Sequence, residues 1–232
     1  MALRRTRRLF GRLWRALRRL VLIAAVAVVA LVVAYRWIDP PITWLMLSEW
    51  RRLGGIEREW VPLSAMSPAL PLAATAAEDA NFCRHHGFDL AGIRSALADS
   101  ERLRGGSTIS QQVAKNVFLW PARSWLRKGL EAGFTVLIEL AWPKARIVEV
   151  YLNVAEFDAG VFGVEAAARA YWDRGADALG PQRSARLMAV LPDPRNRSPV
   201  SGTAYIAARG AAIQAGAATI AADGRGACLR PA

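Results

Sequence analysis

Acid is missing from the first nineteen residues, cysteine and histidine are scarce throughout, and strand-like alternation is weak. The 232 residues include two Cys and two His. So few cysteines exclude a disulfide-stapled miniprotein, and a chain this long can bury a core unaided. The sequence leaves the pairing of Cys83 and Cys228 open. Long polar tracts are also lacking: with 53% apolar residues, the chain is no disordered polycation despite a net charge of +12. Hairpin dipeptides flanked by strand-like runs, internal repeats and a P-loop lysine are absent as well.

What is present is unevenly placed. Residues 1–19 hold eight arginines and no acid, and Leu20–Tyr35 follows without a charge. Sixteen residues fall short of the roughly 20 needed to span a bilayer. Arg19 and Arg36 can snorkel, however, and Trp14, Tyr35 and Trp37 suit the interfaces. The expected organisation is an Arg-rich cytoplasmic arm (1–19), a transmembrane helix (20–38), a membrane-proximal linker (39–60) and an exported domain (61–232). A signal peptide cleaved after Val32-Val33-Ala34 is the competing reading. Ile42–Leu47 is an apolar patch that rests either on the bilayer or on the domain.

From Leu63 onward, apolar residues recur three and four apart, the helical pattern. Ser67-Pro68 predicts a helix start running to about Ala80, and Asp89 caps a second with Ile93, Ala96 and Leu97 on one face. Further helices are expected at 108–119, 123–141, 144–153, 162–171, 181–190 and 202–222. The domain reads as mainly α.

Three clusters concentrate the chemistry. In Glu78–Asp89, two adjacent carboxylates sit at a helix C-terminus, where the dipole disfavours them. A carboxylate in an apolar setting becomes a general base near neutral pH. The plainer readings are an Asp79–Arg84 ion pair and a metal site of His85 and Asp89. In Gly105–Asn116, two glycines lead into a Ser-Thr helix start, an anion site made of N–H groups and hydroxyls. It is also what an ordinary capped helix looks like. In Arg123–Glu131, Arg127 and Lys128 share a helix face with Glu131. Residues 102–128 carry six basic groups and no acid, which suits a pyrophosphate.

In this order the clusters resemble the motifs of the peptidoglycan glycosyltransferases of family 51, most closely the monofunctional biosynthetic transglycosylases. The first motif falls on Glu78, Asp79, Phe82, His85, Gly87 and Asp89, the second on every fixed position from Gly105 to Asn116, and the third on Arg127, Lys128 and Glu131. The fourth matches Glu149, Tyr151, Leu152 and Asn153. Gly160, Gly163, Ala166, Ala167 and Tyr171 resemble the fifth, and Leu191–Pro194 a closing stretch. The likeness covers about residues 60–200. Thr135, Asp158 and Trp172 depart from the residues commonest in the family. Cys83 falls at a variable position, and the stretch after residue 200 is too short for a transpeptidase domain.

The resemblance implies a lysozyme-like, mainly α glycosyltransferase domain behind one N-terminal transmembrane helix. It implies polymerisation of lipid II into β-1,4 glycan at the cell inner membrane, with inversion and loss of undecaprenyl pyrophosphate. Glu78 becomes the base and Asp79 its neighbour. Lys115, Arg123, Arg127 and Lys128 hold pyrophosphate; Ser107, Thr108, Gln111, Gln112 and Asn116 position phosphate and sugar. Glu131 is the second important carboxylate, placed to orient the basic residues or to hold a divalent cation (Mg or Mn). No cofactor is obligatory. The implied partners are lipid II, the growing glycan, the membrane, and cell-wall synthase or division proteins. Nucleic acid is not among them. A glycan-cleaving lytic enzyme of the same fold and a non-enzymatic membrane scaffold are the alternatives.

Overall fold

The computed structural model describes residues 2–90, 106–122 and 124–230, with side chains from Gly11 onward, as two compact units, Met1–Asp39 and Pro40–Ala232. The first unit is one helix, α1 (Ala2–Ala34). Its stretch Gly11–Ala34, 24 residues of mean hydropathy 2.5, is long and apolar enough to cross a membrane. At a rise of 1.5 Å per residue it measures about 36 Å. The helix gives way to turns after Ala34, where Ile38 N–H still donates to the Ala34 carbonyl at 3.0 Å.

The second unit opens with α2 (Trp44–Leu53), capped by the Thr43 side chain on Met46 N–H and stopped by Gly54 in the left-handed region. The apolar patch is therefore split by helical geometry. Met46 is fully buried, whereas Ile42 and Trp44 face outward.

Seven more helices follow in the described residues: α3 (Ala69–Glu78), α4 (Ile109–Phe118), α5 (Trp125–Ala141), α6 (Lys144–Val154), α7 (Val164–Trp172), α8 (Pro181–Ala189) and α9 (Ala204–Ala222). Each starts and ends within two residues of a predicted range. The helix expected after Asp89 lies outside the described residues. Three short strands were not anticipated: β1 (Glu57–Arg58), β2 (Glu156–Asp158) and β3 (Val161–Phe162), in the order β1-β3-β2. β1 runs parallel to β3 and β2 antiparallel to it. Strands of two and three residues are too short to display the two-residue alternation that marks a strand in sequence.

Two helix groups share the core. α3 packs against α8 and α9, and α4 packs against α5 and α6. α6 is buried nearly all round, from Ile147 and Val148 to Val150–Val154, and also touches α3. A helix buried over most of its surface belongs in the middle of a fold. Its polar residues secure the leading segment of the domain. Asn153 accepts from Val61 N–H and donates to the Val61 carbonyl, both at 2.9 Å, while Glu149 accepts from Leu63 N–H at 2.7 Å. Gly163 closes the arrangement at φ +85°; a Cβ there would lie 3.0 Å from the Asn153 carbonyl oxygen. Only glycine combines that backbone with that approach. A disulfide joins Cys83 to Cys228 across 145 positions, linking the 3-10 turns Phe82–Arg84 and Ala227–Leu229.

Candidate active site

The acidic pair sits where α3 stops. Glu78 is its last residue, and Asp79 follows at φ −160° and ψ 71°, outside the helical region, while its N–H still donates to the Thr75 carbonyl. This break turns the two neighbouring carboxylates to different tasks. Asp79 is buried: one oxygen accepts from Ile109 N–H at 3.0 Å, the other meets His85 Nε2 at 2.8 Å. The first of these bonds satisfies an orphan N–H at the start of α4 and sets a negative charge at its N-terminus, where the dipole favours it. The partner of Asp79 is thus His85 rather than Arg84. Asp89, the other half of the alternative metal site, instead accepts from Asn81 at 3.2 Å.

Glu78 is half-buried, and its carboxylate accepts from the Gln112 amide at 2.8 Å. The Tyr151 hydroxyl is buried with no hydrogen-bond partner among the described residues. Burial first, and the charge of Glu78 second, push its pKa far up, so it stays protonated beside the carboxylate.

α4 begins with a complete capping box. The Thr108 hydroxyl accepts from Gln111 N–H, and the Gln111 side chain accepts from Thr108 N–H at 3.0 Å. The Thr108 hydroxyl also donates to the Gly87 carbonyl at 2.6 Å, fixing the first motif to the second. Gly87 itself, at φ +89°, lies against α5, where a Cβ would come within 2.7 Å of Thr135 Cγ2. Thr135 is fully buried, and its hydroxyl donates to the Glu131 carbonyl at 2.7 Å.

Beyond Gln112 opens a cavity of about 560 Å³, lined by Ser107, Gln111, Gln112 and Lys115 from the second cluster and Arg127, Lys128 and Glu131 from the third. Trp120, Pro121 and Ala122 complete the lining. Thr108 is committed to the helix cap, and Asn116, half-buried on α4, is not part of the wall. Arg123 lies outside the described residues. Glu131 is buried between two cations, accepting from Arg127 at 2.9 Å and from Lys128 through its other oxygen. Its carboxylate sits one turn after both, so the bonds follow from helical spacing. The Arg127 Nε–H is buried with no partner among the described residues.

Lys115 projects into the open side of the cleft, with protein crowded around it. That burial lowers its pKa; Glu131 opposes the shift, Arg127 and Lys128 lower it further, and Glu78 opposes again. One lysine therefore feels both carboxylates and both neighbouring cations. Three positive side chains converge beside a single committed carboxylate, an arrangement built to receive a multiply charged anion.

The fit of a divalent cation is poor. Among the described residues no three His, Cys, Asp or Glu side chains group together, and both oxygens of Glu131 are engaged by Arg127 and Lys128. Glu131 in this state is ion-paired to Arg127 and Lys128.

A family model described as Transglycosylase matches residues 47–217. The chain belongs to the transglycosylase family. This transglycosylase is 50% identical over 222 residues to the biosynthetic peptidoglycan transglycosylase of Rhodospirillum centenum, covering 93% of this chain and 96% of that protein. It is 51% identical over 198 residues to the protein of the same name from Jannaschia sp., covering 85% and 82%. A third of that name, from Caulobacter vibrioides, is 46% identical over 227 residues, covering 94% and 99%.

Two features of the transglycosylase site escaped sequence reading. The Trp120–Ala122 wall could have been suspected from the Trp-Pro pair that follows α4. The link from Gln112 to Glu78 spans 34 positions, and no local signal announces it.

Proposed function

We propose that this transglycosylase polymerises lipid II into β-1,4 glycan strands for the cell wall. The observation that carries the reading is the cavity of about 560 Å³ walled by Lys115, Arg127 and Lys128, one side chain away from the Glu78 carboxylate. An inverting displacement needs both ends of that arrangement. Glu78 takes the proton of the acceptor 4-hydroxyl as its oxygen bonds to C1 of the donor sugar. The C1–oxygen bond to pyrophosphate breaks, and the three cations meet the charge that builds on the leaving group. Gln112 holds the base in place, and Asp79 ties the base-bearing segment to α4.

Membrane attachment fits a lipid-linked substrate. Besides the apolar helix, α5 exposes Trp125, Leu126 and Leu140, at 92%, 71% and 80% of their surface. These rings and chains suit the bilayer interface beside the cavity that the same helix lines. The Arg-rich arm argues for a cytoplasmic N-terminus and a periplasmic domain at the inner membrane. The Cys83–Cys228 bond suits an oxidising compartment. Cell-wall synthase or division proteins are the expected protein partners there.

Purified full-length protein should convert lipid II to glycan polymer. Glu78→Gln should lower the rate by at least about 100-fold, the usual scale for losing a general base, with the far-UV spectrum unchanged. Full activity in that variant would remove Glu78 from the mechanism. Release of sugar from finished sacculi would favour the lytic alternative, which requires no pyrophosphate cradle.

A further inference from the structure

The C-terminal segment grips the backbone on both sides of the acidic pair. Arg209 of α9 donates to the Ala77 carbonyl at 2.9 Å, and Arg225, just past α9, donates to the Ala80 carbonyl at 3.4 Å. Ala77 lies in the last turn of α3, whose carbonyls have no intrahelical donor, and a cation is favoured at that end. The third attachment is covalent: Cys228 is bonded to Cys83. Three tethers from residues 209–228 therefore converge on residues 77–83, the stretch that carries Glu78 and Asp79. The turn bearing Cys228 also packs on α6 and on the turn bearing Cys83, with Leu229 buried. The last part of this brace, residues 218–228, lies outside the matched family region.

The bond also supports the Asp79–His85 contact. His85 follows Cys83 by two residues, with Phe82 buried on the other side under the Lys144 ammonium, 4.3 Å from the ring centroid. Cys83 thus anchors the turn that presents His85 to Asp79, whose other oxygen meets Ile109 N–H. Both cysteines are half-buried, so an exchange partner can approach them.

We propose that the Cys83–Cys228 disulfide is an oxidative modification that holds Glu78 in its working position, made by exchange with a disulfide-carrying oxidoreductase. The proposal rests on the transferase reading above. One chain thiolate attacks the partner's disulfide and forms a mixed disulfide, releasing a partner thiol. The second chain thiolate attacks the chain sulfur of that mixed disulfide and releases the partner as a dithiol. Two electrons and two protons leave the chain and reduce the partner. The finished bond restricts the turn after α3, so the base meets the acceptor hydroxyl with less searching.

The test uses the full-length enzyme in detergent, oxidised, reduced with dithiothreitol, and as Cys228→Ser. Intact mass and thiol titration establish the state of each sample. The reduced and Cys228→Ser enzymes should polymerise lipid II with kcat about three- to tenfold lower and KM unchanged. Amide exchange should quicken at residues 77–85 while α6 stays protected. Re-oxidation with oxidised glutathione should restore the reduced wild type and leave Cys228→Ser slow, which a merely unfolded variant would not reproduce. Equal kcat in oxidised and reduced enzyme overturns the proposal, as do two free thiols in enzyme taken from the envelope. Failure of the oxidised enzyme to polymerise lipid II at all overturns the transferase reading instead.

Discussion

Lys115 ties the electrostatics of the cleft to a measurable pH profile. Its pKa lies below the ordinary lysine range chiefly because protein crowds it, with Glu131 opposing and Arg127 and Lys128 adding to the shift. A lowered pKa means that the free enzyme loses this proton at a lower pH than an exposed lysine would. The charge proposed to meet pyrophosphate is then lost early on the alkaline side. The alkaline limb of kcat/KM should therefore begin below the usual lysine titration, near pH ~10.4. Lys115→Arg, which keeps its charge throughout that range, should move the limb upward even where it costs about tenfold in rate through altered geometry. An unmoved limb would assign it to another group. The sign for stability runs the other way. Between the lowered folded pKa and the unfolded one, the unfolded chain binds more protons, so this lysine's contribution to stability rises with pH.

Gly87 and Thr135 show how one helix face fixes the first motif against the third. The glycine has φ +89°, and a Cβ would sit 2.7 Å from Thr135 Cγ2 and 3.1 Å from Glu139 Cγ. Gly87→Ala should therefore cost about 2–4 kcal/mol, combining left-handed strain with overpacking. Adding Thr135→Ser removes the offending methyl and keeps the hydroxyl that bonds the Glu131 carbonyl. Part of the loss should return in a urea titration, and strict additivity would show that the two do not touch. Such contacts mark the boundary of what sequence alone discloses. The helices were legible because their apolar spacing and caps are local; Thr108 and Gln111 announce α4 three residues apart. The convergence of Lys115, Arg127 and Lys128 was legible because the residues lie close in the chain and their charge is unbalanced. The sheet was not, since β1 pairs with a strand about a hundred residues later. Nor were the division of labour between Glu78 and Asp79 and the bond from Gln112 to Glu78. Those depend on which donors the fold delivers from distant segments, and residue type does not encode that.

The net charge of +12 describes no single surface. The arm holds +8 and residues 102–128 hold +6, which leaves −2 for everything else. Replacing the eight arginines of residues 1–19 by glutamine should leave the catalytic charge intact and weaken the topological signal. Protease protection in intact spheroplasts should then find a mixed population, with part of the domain retained inside; an unchanged distribution would show that flanking residues suffice to orient the span. If the domain is exported as proposed, the order of the chain also sets the order in which it is completed. α3 packs on α8 and α9, Asn153 reaches back 92 positions to Val61, and Cys228 reaches back 145 to Cys83. A chain delivered from its N-terminus thus presents α3, an alanine-rich helix with nothing yet to cover it, long before its packing partners arrive. Folding dominated by such distant pairings is slow and exposes apolar surface on the way. The stretch that carries Glu78 is the one that waits longest, so chains exported as proposed should be most vulnerable to envelope proteases and to aggregation just there.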